Sequence, residues 1–412
     1  MLKGKNIVLG VTGSIAAYKT ANLASMLVKL HANVYVIMTR NACNFINPIV
    51  FESLTGNKCM VDTFDRNFQF NIAHVSLASK ADLCMIAPAS ANIIGKIAGG
   101  IADDMLSTTV MAMECPVYIS PAMNTHMFEN AIVQDNLKKL ASFGYHIIDP
   151  ASGHLACGTS GAGKMPEPED LLQYILFETA YPKDMKGLKV LVTAGPTQEA
   201  IDPVRFISNH STGRMGFSIA RCAMLRGASV TLVTGPVAIK EPPFVKVLHI
   251  TDAADMFEKV RAEYGDSDII VKAAAVADYT PVTTAQEKIK KSDGDAGLKL
   301  KRTQDILAWL GQNRKAGQVL CGFSMETENV LANSRKKLIS KNADLIAANS
   351  LRESGAGFGT DTNHLTLITA DGTADLPMLS KDQAAAALLD ELKKIHDAKA
   401  AAENGGIAGG KD

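Results

Sequence analysis

Asn6-Ile-Val-Leu-Gly-Val-Thr-Gly-Ser-Ile-Ala-Ala-Tyr-Lys19 opens with an apolar run, breaks at Thr12-Gly-Ser, and passes into residues of helical habit. Ile7–Val11 has no polar alternation, which is the mark of a strand buried on both faces. From Ser14 to Leu30 the apolar residues recur at three- and four-residue spacing, which predicts a helix. A strand, a turn of small residues and a helix place backbone N–H groups and a hydroxyl at a helix N-terminus, a site that favours an anion. A tight turn with Ser14 as N-cap accounts for the same residues equally well. The full GxGxxG is absent, and Thr39-Arg40 stand where a ribose-binding acid would follow the second strand. Both features speak against an ordinary NAD-binding oxidoreductase.

The same grammar continues outward. Val34–Met38, Leu83–Ala87, Val117–Ser120 and Tyr145–Ile148 are further strand candidates, with helical segments such as Asn130–Phe143 between them. Strands without alternation, separated by helices, indicate a parallel sheet covered on both faces. The pattern restarts at Gly187-Leu-Lys-Val-Leu-Val-Thr-Ala-Gly195. Strands are then expected at Ser229–Thr234, Val245–Ile250, Ile269–Ala275, Gln318–Phe323, Leu345–Ala348 and Leu365–Ile368, with helices from about Gly213 or Met215, over Ala253–Tyr264 and over Asn329–Ser340. The prolines and charges from Lys164 to Asp184 mark the junction, so the domains are placed at 1–180 and 181–397. The last stretch, 398–412, is rich in Ala and Gly with few large apolar groups, a composition that predicts disorder.

Bulk properties bound the function. A chain of 412 residues exceeds one ordinary core, so two domains are the default. Its formal net charge is zero with 20% charged residues, so no charge excess points to nucleic acid or a membrane surface. The apolar run at the N-terminus is broken at once by Gly, Thr and Ser, unlike a signal peptide. Seven scattered cysteines lack paired CxxC spacing and read as reduced thiols in the cytoplasm.

Three strand ends in the first half carry small residues and hydroxyls: Val11-Thr-Gly-Ser, Ile86-Ala-Pro-Ala-Ser-Ala-Asn92 and Ile119-Ser-Pro-Ala-Met-Asn-Thr-His-Met-Phe128. Each alone suits a helix cap; together they argue for a shared ligand at the carboxyl edge of a sheet. In their order, GSIAAYK, PASANIIGKIAGGIADDMLST and PAMNTHMF resemble the flavin-containing cysteine decarboxylases over residues 5–170. The resemblance implies a flavodoxin/Rossmann-like domain holding FMN without a covalent bond, often at a trimer interface. Gly13, Ser14, Thr39, Ser90, Asn92 and Ser107 are then the expected FMN contacts. It further implies that His74 acts as general base or positions the thiolate, that Asn124 orients the substrate carboxylate, and that Cys157, in Leu155-Ala-Cys-Gly158, donates a proton from a segment covering the substrate. Flavin redox chemistry is what a cysteine carboxylate lacks, since simple loss of CO2 leaves a carbanion with nowhere to delocalise. The family commonly has an acid where Thr159 stands.

In the second half, Val192-Thr-Ala-Gly-Pro-Thr-Gln-Glu-Ala-Ile-Asp-Pro-Val-Arg205 leads to Ile207-Ser-Asn-His-Ser-Thr-Gly-Arg-Met-Gly216. Amides of such a segment can cradle phosphates, although it is no P-loop, and a plain loop-to-helix turn is an equal alternative. Ala273-Ala-Ala-Val-Ala-Asp-Tyr279 ends a strand, and the basic Glu287-Lys-Ile-Lys-Lys291 follows. This combination resembles the phosphopantothenate–cysteine ligase domain over about 187–390, which implies a second Rossmann-like, doubly wound α/β domain that uses CTP. Ala273, Ala274, Ala275, Asp278, Lys288, Asp305, Phe323, Lys337 and Lys341 are the nucleotide contacts implied, and Asn209 would act on an acyl-cytidylate while Lys288 neutralises phosphate charge. Mg2+ accompanies the triphosphate, largely through substrate oxygens, with no protein ligand identified. Gln304 replaces the family's usual Pro. The resemblance implies homo-oligomers: trimeric flavin domains and dimeric ligase domains, combined in a dodecamer. The small-molecule partners implied are 4'-phosphopantothenate, cysteine and CTP.

Overall fold

The computed structural model describes residues 1–64, 73–154, 160–290, 297–326, 329–350, 357 and 359–408. The chain divides into two compact units, Met1–Tyr181 and Pro182–Asp412.

The first unit is built on a five-stranded sheet, all parallel, in the spatial order Asn33–Met38, Asn6–Val11, Leu83–Ala89, Val117–Pro121, His146–Ile147. Numbered along the chain, that order is 2-1-3-4-5, the flavodoxin arrangement. Leu83–Ala89 is buried along its whole length, as its lack of alternation requires. Helix Ala17–Lys29 turns Leu23, Ala24 and Leu27 inward. On the other face Ile93, Ile94 and Ile97 of helix Ala91–Gly99 join Leu137 and Leu140 of helix Ala131–Ser142 in one core. The predicted helix from Ser14 begins later, at Ala17, because Ser14–Ala16 forms a turn in which Ser14 Oγ accepts from the Ala16 amide at 3.3 Å. Helix Pro168–Thr179 closes the unit with Leu171, Ile175 and Leu176 buried.

The second unit carries an eight-stranded sheet in the order Lys246–His249, Ser229–Thr234, Lys189–Ala194, Ile269–Lys272, Val319–Glu326, Leu345–Ser350, Leu365–Ile368, Thr373–Asp375. The first six are parallel and, counted along the sheet's own strands, run 3-2-1-4-5-6, the Rossmann order. The last two are antiparallel, which the all-parallel expectation did not include. A four-residue connection, 369–372, joins Leu365–Ile368 to Thr373–Asp375 as a hairpin, whereas a parallel partner needs a long crossover. Expected strand Ile269–Ala275 stops at Lys272, and the chain then makes a single bridge from Ala275 to Pro196.

The expected disordered tail is corrected as far as Ala408: helix Lys381–Ala408 runs through it. Its first turns bury Ala385, Leu388, Leu389 and Leu392, and Lys399 still pairs with Asp344 at 2.8 Å. Alanine's high helix propensity lets a composition poor in large apolar groups continue a helix already anchored by packing.

Candidate active sites

Sheets of this kind leave a crevice outside the carboxyl ends of the strands where the strand order reverses. In the first unit that point lies between Asn6–Val11 and Leu83–Ala89. Thr12 ties the two strand ends together: its Oγ1 donates to the Pro88 carbonyl at 2.7 Å and accepts from the Ser90 amide at 2.9 Å. A cavity of about 880 Å3 opens there. Gly13, Thr39, Ser90 and Asn92 line it, together with Thr12, Asn41, Ile93, Lys96, Met105 and Met127. Hydroxyls and amides on one side and Ile93, Met105 and Met127 on another suit a ligand with both a polar chain and a flat apolar ring. That donor set fits FMN.

Two expected contacts are placed elsewhere. Ser14 does not line the cavity. Ser107 is buried in a capping box: its amide donates to Asp104 Oδ1 at 2.8 Å, and its Oγ accepts from the Asp104 amide at 3.2 Å. The reciprocal cap satisfies two orphan donors of helix Met105–Met111, so the Asp104-Met-Leu-Ser107 spacing serves the helix start. Asp104 also holds Lys96 at 2.8 Å, and Asp103 holds it at 2.7 Å. Burial works to raise the Asp104 carboxyl, yet the Lys96 ammonium and the two donors of Ser107 outweigh it and hold the group below the usual carboxylate range.

His74 is half-buried in helix Ala73–Lys80, outside the cavity lining. Asn124 caps helix Thr125–Phe128 by accepting from the His126 amide at 2.9 Å. Cys157 lies outside the described residues. The strands flanking that segment, Ala151–His154 and Ser160–Lys164, pair antiparallel, and the Gly163 carbonyl accepts from the Met123 amide at 3.0 Å. Gly163 has φ +124°, and a Cβ there would lie 2.4 Å from the Met123 carbonyl. The hairpin therefore seats its backbone directly on the chain leading to Asn124.

In the second unit the reversal lies between Lys189–Ala194 and Ile269–Lys272. A cavity of about 400 Å3 sits at the ends of Ile269–Lys272 and Val319–Glu326. Of the residues implied as nucleotide contacts, Ala274, Asp278, Asp305, Phe323, Lys337 and Lys341 line it, together with Lys272, Val276, Tyr279, Arg302 and Thr303. Asp305 caps helix Ile306–Asn313 by accepting from the Ala308 amide at 2.9 Å and pairs with Lys341 at 2.6 Å. Lys337 donates to the Phe323 carbonyl at 2.8 Å. Gln304 also lines the cavity.

Ala273, Ala275 and Lys288 do not line this cavity. Ala275 is occupied with the neighbouring loop, its amide donating to the Gly195 carbonyl and its carbonyl accepting from Asn209 Nδ2 at 2.8 Å. That bond places Asn209 beside Ala274 and Val276. Lys288 is exposed, but its backbone is held: the Ile289 amide donates to Asp202 Oδ2 at 3.2 Å, and the Ile289 carbonyl accepts from Arg205 at 2.7 Å. Asp202 also accepts from the Val204 and Arg205 amides and from the Arg205 guanidinium. Burial opposes ionisation, but these donors hold the Asp202 carboxyl well below the usual range. The segment Ser211–Gly216, read as a possible phosphate cradle, does not line the cavity either. Gly213, at φ +78°, instead presses on Gly195, where a Cβ would lie 3.3 Å from its Cα.

The two crevices, one with the lining of a flavin site and one ringed by amines, define a two-domain α/β protein with a flavin-type unit followed by a nucleotide-type unit. Residues 1–179 match the family described as Flavoprotein, and 185–395 match the DNA/pantothenate metabolism flavoprotein C-terminal domain. The chain is 46% identical over 401 residues to the coenzyme A biosynthesis bifunctional protein CoaBC of Bacillus subtilis (strain 168), spanning 96% of this chain and 98% of that protein. It is 42% identical over 401 residues to the same-named protein of Escherichia coli (strain K12), spanning 97% and 99%. A crystal structure of the C-terminal domain of a CoaBC protein shares 38% identity, with TM-score 0.45, covering 52% of this chain and 97% of that one. The chain belongs to the family of coenzyme A biosynthesis bifunctional CoaBC proteins. Among the described residues, no helix is long and apolar enough to cross a membrane.

Proposed function

We propose that this chain carries out two steps of coenzyme A biosynthesis, a ligation in its second unit and a decarboxylation in its first. The observation that carries the reading is the pair of crevices at the carboxyl ends of the two parallel sheets, in a chain related to CoaBC proteins over 96% of its length. In the ligation, the carboxylate of 4'-phosphopantothenate is activated by CTP to an acyl-cytidylate, and the amine of cysteine then displaces CMP. A carboxylate oxygen is a poor leaving group, and the cytidylate removes that obstacle. Lys337, Lys341 and Arg302 bring positive charge to the cavity, and phosphate charge that grows during displacement is stabilised by such preset donors. Asn209 acts toward the acyl-cytidylate and Lys288 toward the phosphates. Mg2+ would accompany the triphosphate and offset its charge; the carboxylates lining the cavity are Asp278 and Asp305, the second already paired with Lys341.

In the first unit, Gly13, Thr39, Ser90 and Asn92 would hold FMN, which supplies two-electron redox chemistry at the substrate thiol. Asn124 orients the departing carboxylate, His74 positions or deprotonates the thiol, and Cys157 returns a proton to carbon. The chain works in the cytoplasm as a homo-oligomer. Purified protein given 4'-phosphopantothenate, cysteine, Mg2+ and CTP should yield 4'-phosphopantetheine, CMP, pyrophosphate and CO2. A product mixture that stops at phosphopantothenoylcysteine would refute the decarboxylase half, and no CTP turnover would refute the ligase half.

A further inference from the structure

We propose that Lys272 is a nucleotide-positioning residue whose amine enters the ligase cavity uncharged and takes up a proton from solvent when the CTP phosphate chain docks against it. The inference rests on the reading of that cavity as the nucleotide site. Lys272 ends a strand that is otherwise wholly apolar, Ile269-Ile-Val-Lys272, and it is 8% exposed. A buried lysine is ordinarily paired with a carboxylate. Here, among the described residues, the Nζ has no carboxylate partner, and its near polar neighbour is Met256 Sδ at 3.8 Å.

Lys272 nevertheless belongs to the cavity wall. The charged and titratable groups around that cavity are Asp278, Tyr279, Arg302, Asp305, Lys337 and Lys341. Asp305 favours the charged amine but is already engaged by Lys341, and Lys337 disfavours it. From the other elements packed on it come Met256 and the Thr193 hydroxyl, which is spent on the Ala274 amide at 3.1 Å. Burial accordingly pushes the amine down to about 7. A cation kept this dry and unpaired is destabilising unless an anion completes it. The polyanion that the cavity is read to bind supplies that anion.

The test is calorimetric titration of the full chain with CTP at pH 8 in buffers of different ionisation enthalpy, which counts protons exchanged on binding. Wild type should take up close to one proton per CTP, about nine-tenths from a group titrating near 7. Lys272→Met, which keeps length and apolar fit, should lose that uptake and bind CTP at least tenfold more weakly. Trp309 fluorescence checks that the variant folds. Lys272→Arg, always charged, should keep tighter binding than Lys272→Met without the uptake. Equal uptake and affinity in wild type and Lys272→Met would overturn the proposal, as would wild type that binds CTP with no uptake. Both results leave the nucleotide reading standing. Wild type that binds no CTP would overturn that reading and the proposal with it. Uptake on 4'-phosphopantothenate alone, and not on CTP, would assign the anion to the other substrate and refute the role stated here.

Discussion

Gly311→Ala pits two effects of opposite sign against each other in the helix whose first residues, Ile306 and Leu307, line the ligase cavity. Gly311 lies in helix Ile306–Asn313, whose first residue follows the cap Asp305. A Cβ at 311 would stand 1.9 Å from the Lys341 carbonyl oxygen and 2.9 Å from its carbon. Backbone cannot yield as a flexible side chain does, so helix and turn must separate by more than an ångström. The same junction is fastened by Asn342 Nδ2 to the Gly311 carbonyl at 2.8 Å and by Lys341 to Asp305 at 2.6 Å, and both bonds would stretch. Overpacking of this kind costs about 1–3 kcal/mol, occasionally more. Alanine's better helix propensity returns only about 1 kcal/mol. The net is a loss of up to about 2 kcal/mol. With a urea dependence of about 2 kcal/mol/M, the midpoint should fall by up to about 1 M. The chain's single tryptophan, Trp309, sits on this helix, edge-on to Phe257 at 5.2 Å and Tyr264 at 4.9 Å, so its fluorescence reports the transition directly. The variant should also bind CTP more weakly, because Asp305 and Lys341 part. A midpoint that rises would show that propensity outweighs the clash and that the close approach is wrong.

In the flavin unit, Asp104→Ala should lower stability by about 1 kcal/mol through loss of the helix cap and should weaken FMN retention by releasing Lys96. Asp104→Ser should recover the cap but not the retention; equal FMN content in all three proteins would remove Lys96 from the site. Asp202→Asn should slow ligation while leaving decarboxylation of supplied phosphopantothenoylcysteine unchanged, because it loosens the Ile289 backbone beside Lys288; unaltered pyrophosphate release would refute this. With its carboxyl depressed below 3.8 in the folded state, the stability Asp202 contributes is complete above that pH and is lost only as pH falls through the lower folded value. Urea midpoints of wild type and Asp202→Asn should therefore keep a constant separation from pH 8 to about 5 and converge only in stronger acid. Cys157→Ser should keep FMN and ligase activity but fail to complete decarboxylation, and full product formation would count against proton donation by the thiol.

What could be read from the sequence follows from where hydrophobicity is unambiguous. The central strands Ile7–Val11 and Leu83–Ala87 are runs buried on both faces, and no other placement hides them. The hairpins Gln198–Ala200 with Phe206–Ser208 and Tyr279–Pro281 with Leu300–Arg302 are short, half-exposed and without a period long enough to detect. Site residues divide the same way. Thr39, Ser90 and Asn92 follow strand ends, so position along the chain sufficed to place them at the carboxyl edge. Ser107 has the same residue type, yet the aspartate three residues before it claims its amide and hydroxyl for a cap. Arg302 reaches the ligase cavity through a hairpin, and nothing local announces it. Lys272 did leave a signal: a lone charge at the end of a wholly apolar strand, where burial should have excluded it unless the cavity had a use for it.

The most direct test of the account is to supply the purified full-length protein with 4'-phosphopantothenate, cysteine, Mg2+ and CTP, and to follow the products by mass spectrometry. Conversion through phosphopantothenoylcysteine to 4'-phosphopantetheine, with one CMP and one pyrophosphate per CO2, is the predicted result. A folded, yellow protein that forms neither product would contradict the central claim that one chain performs both steps.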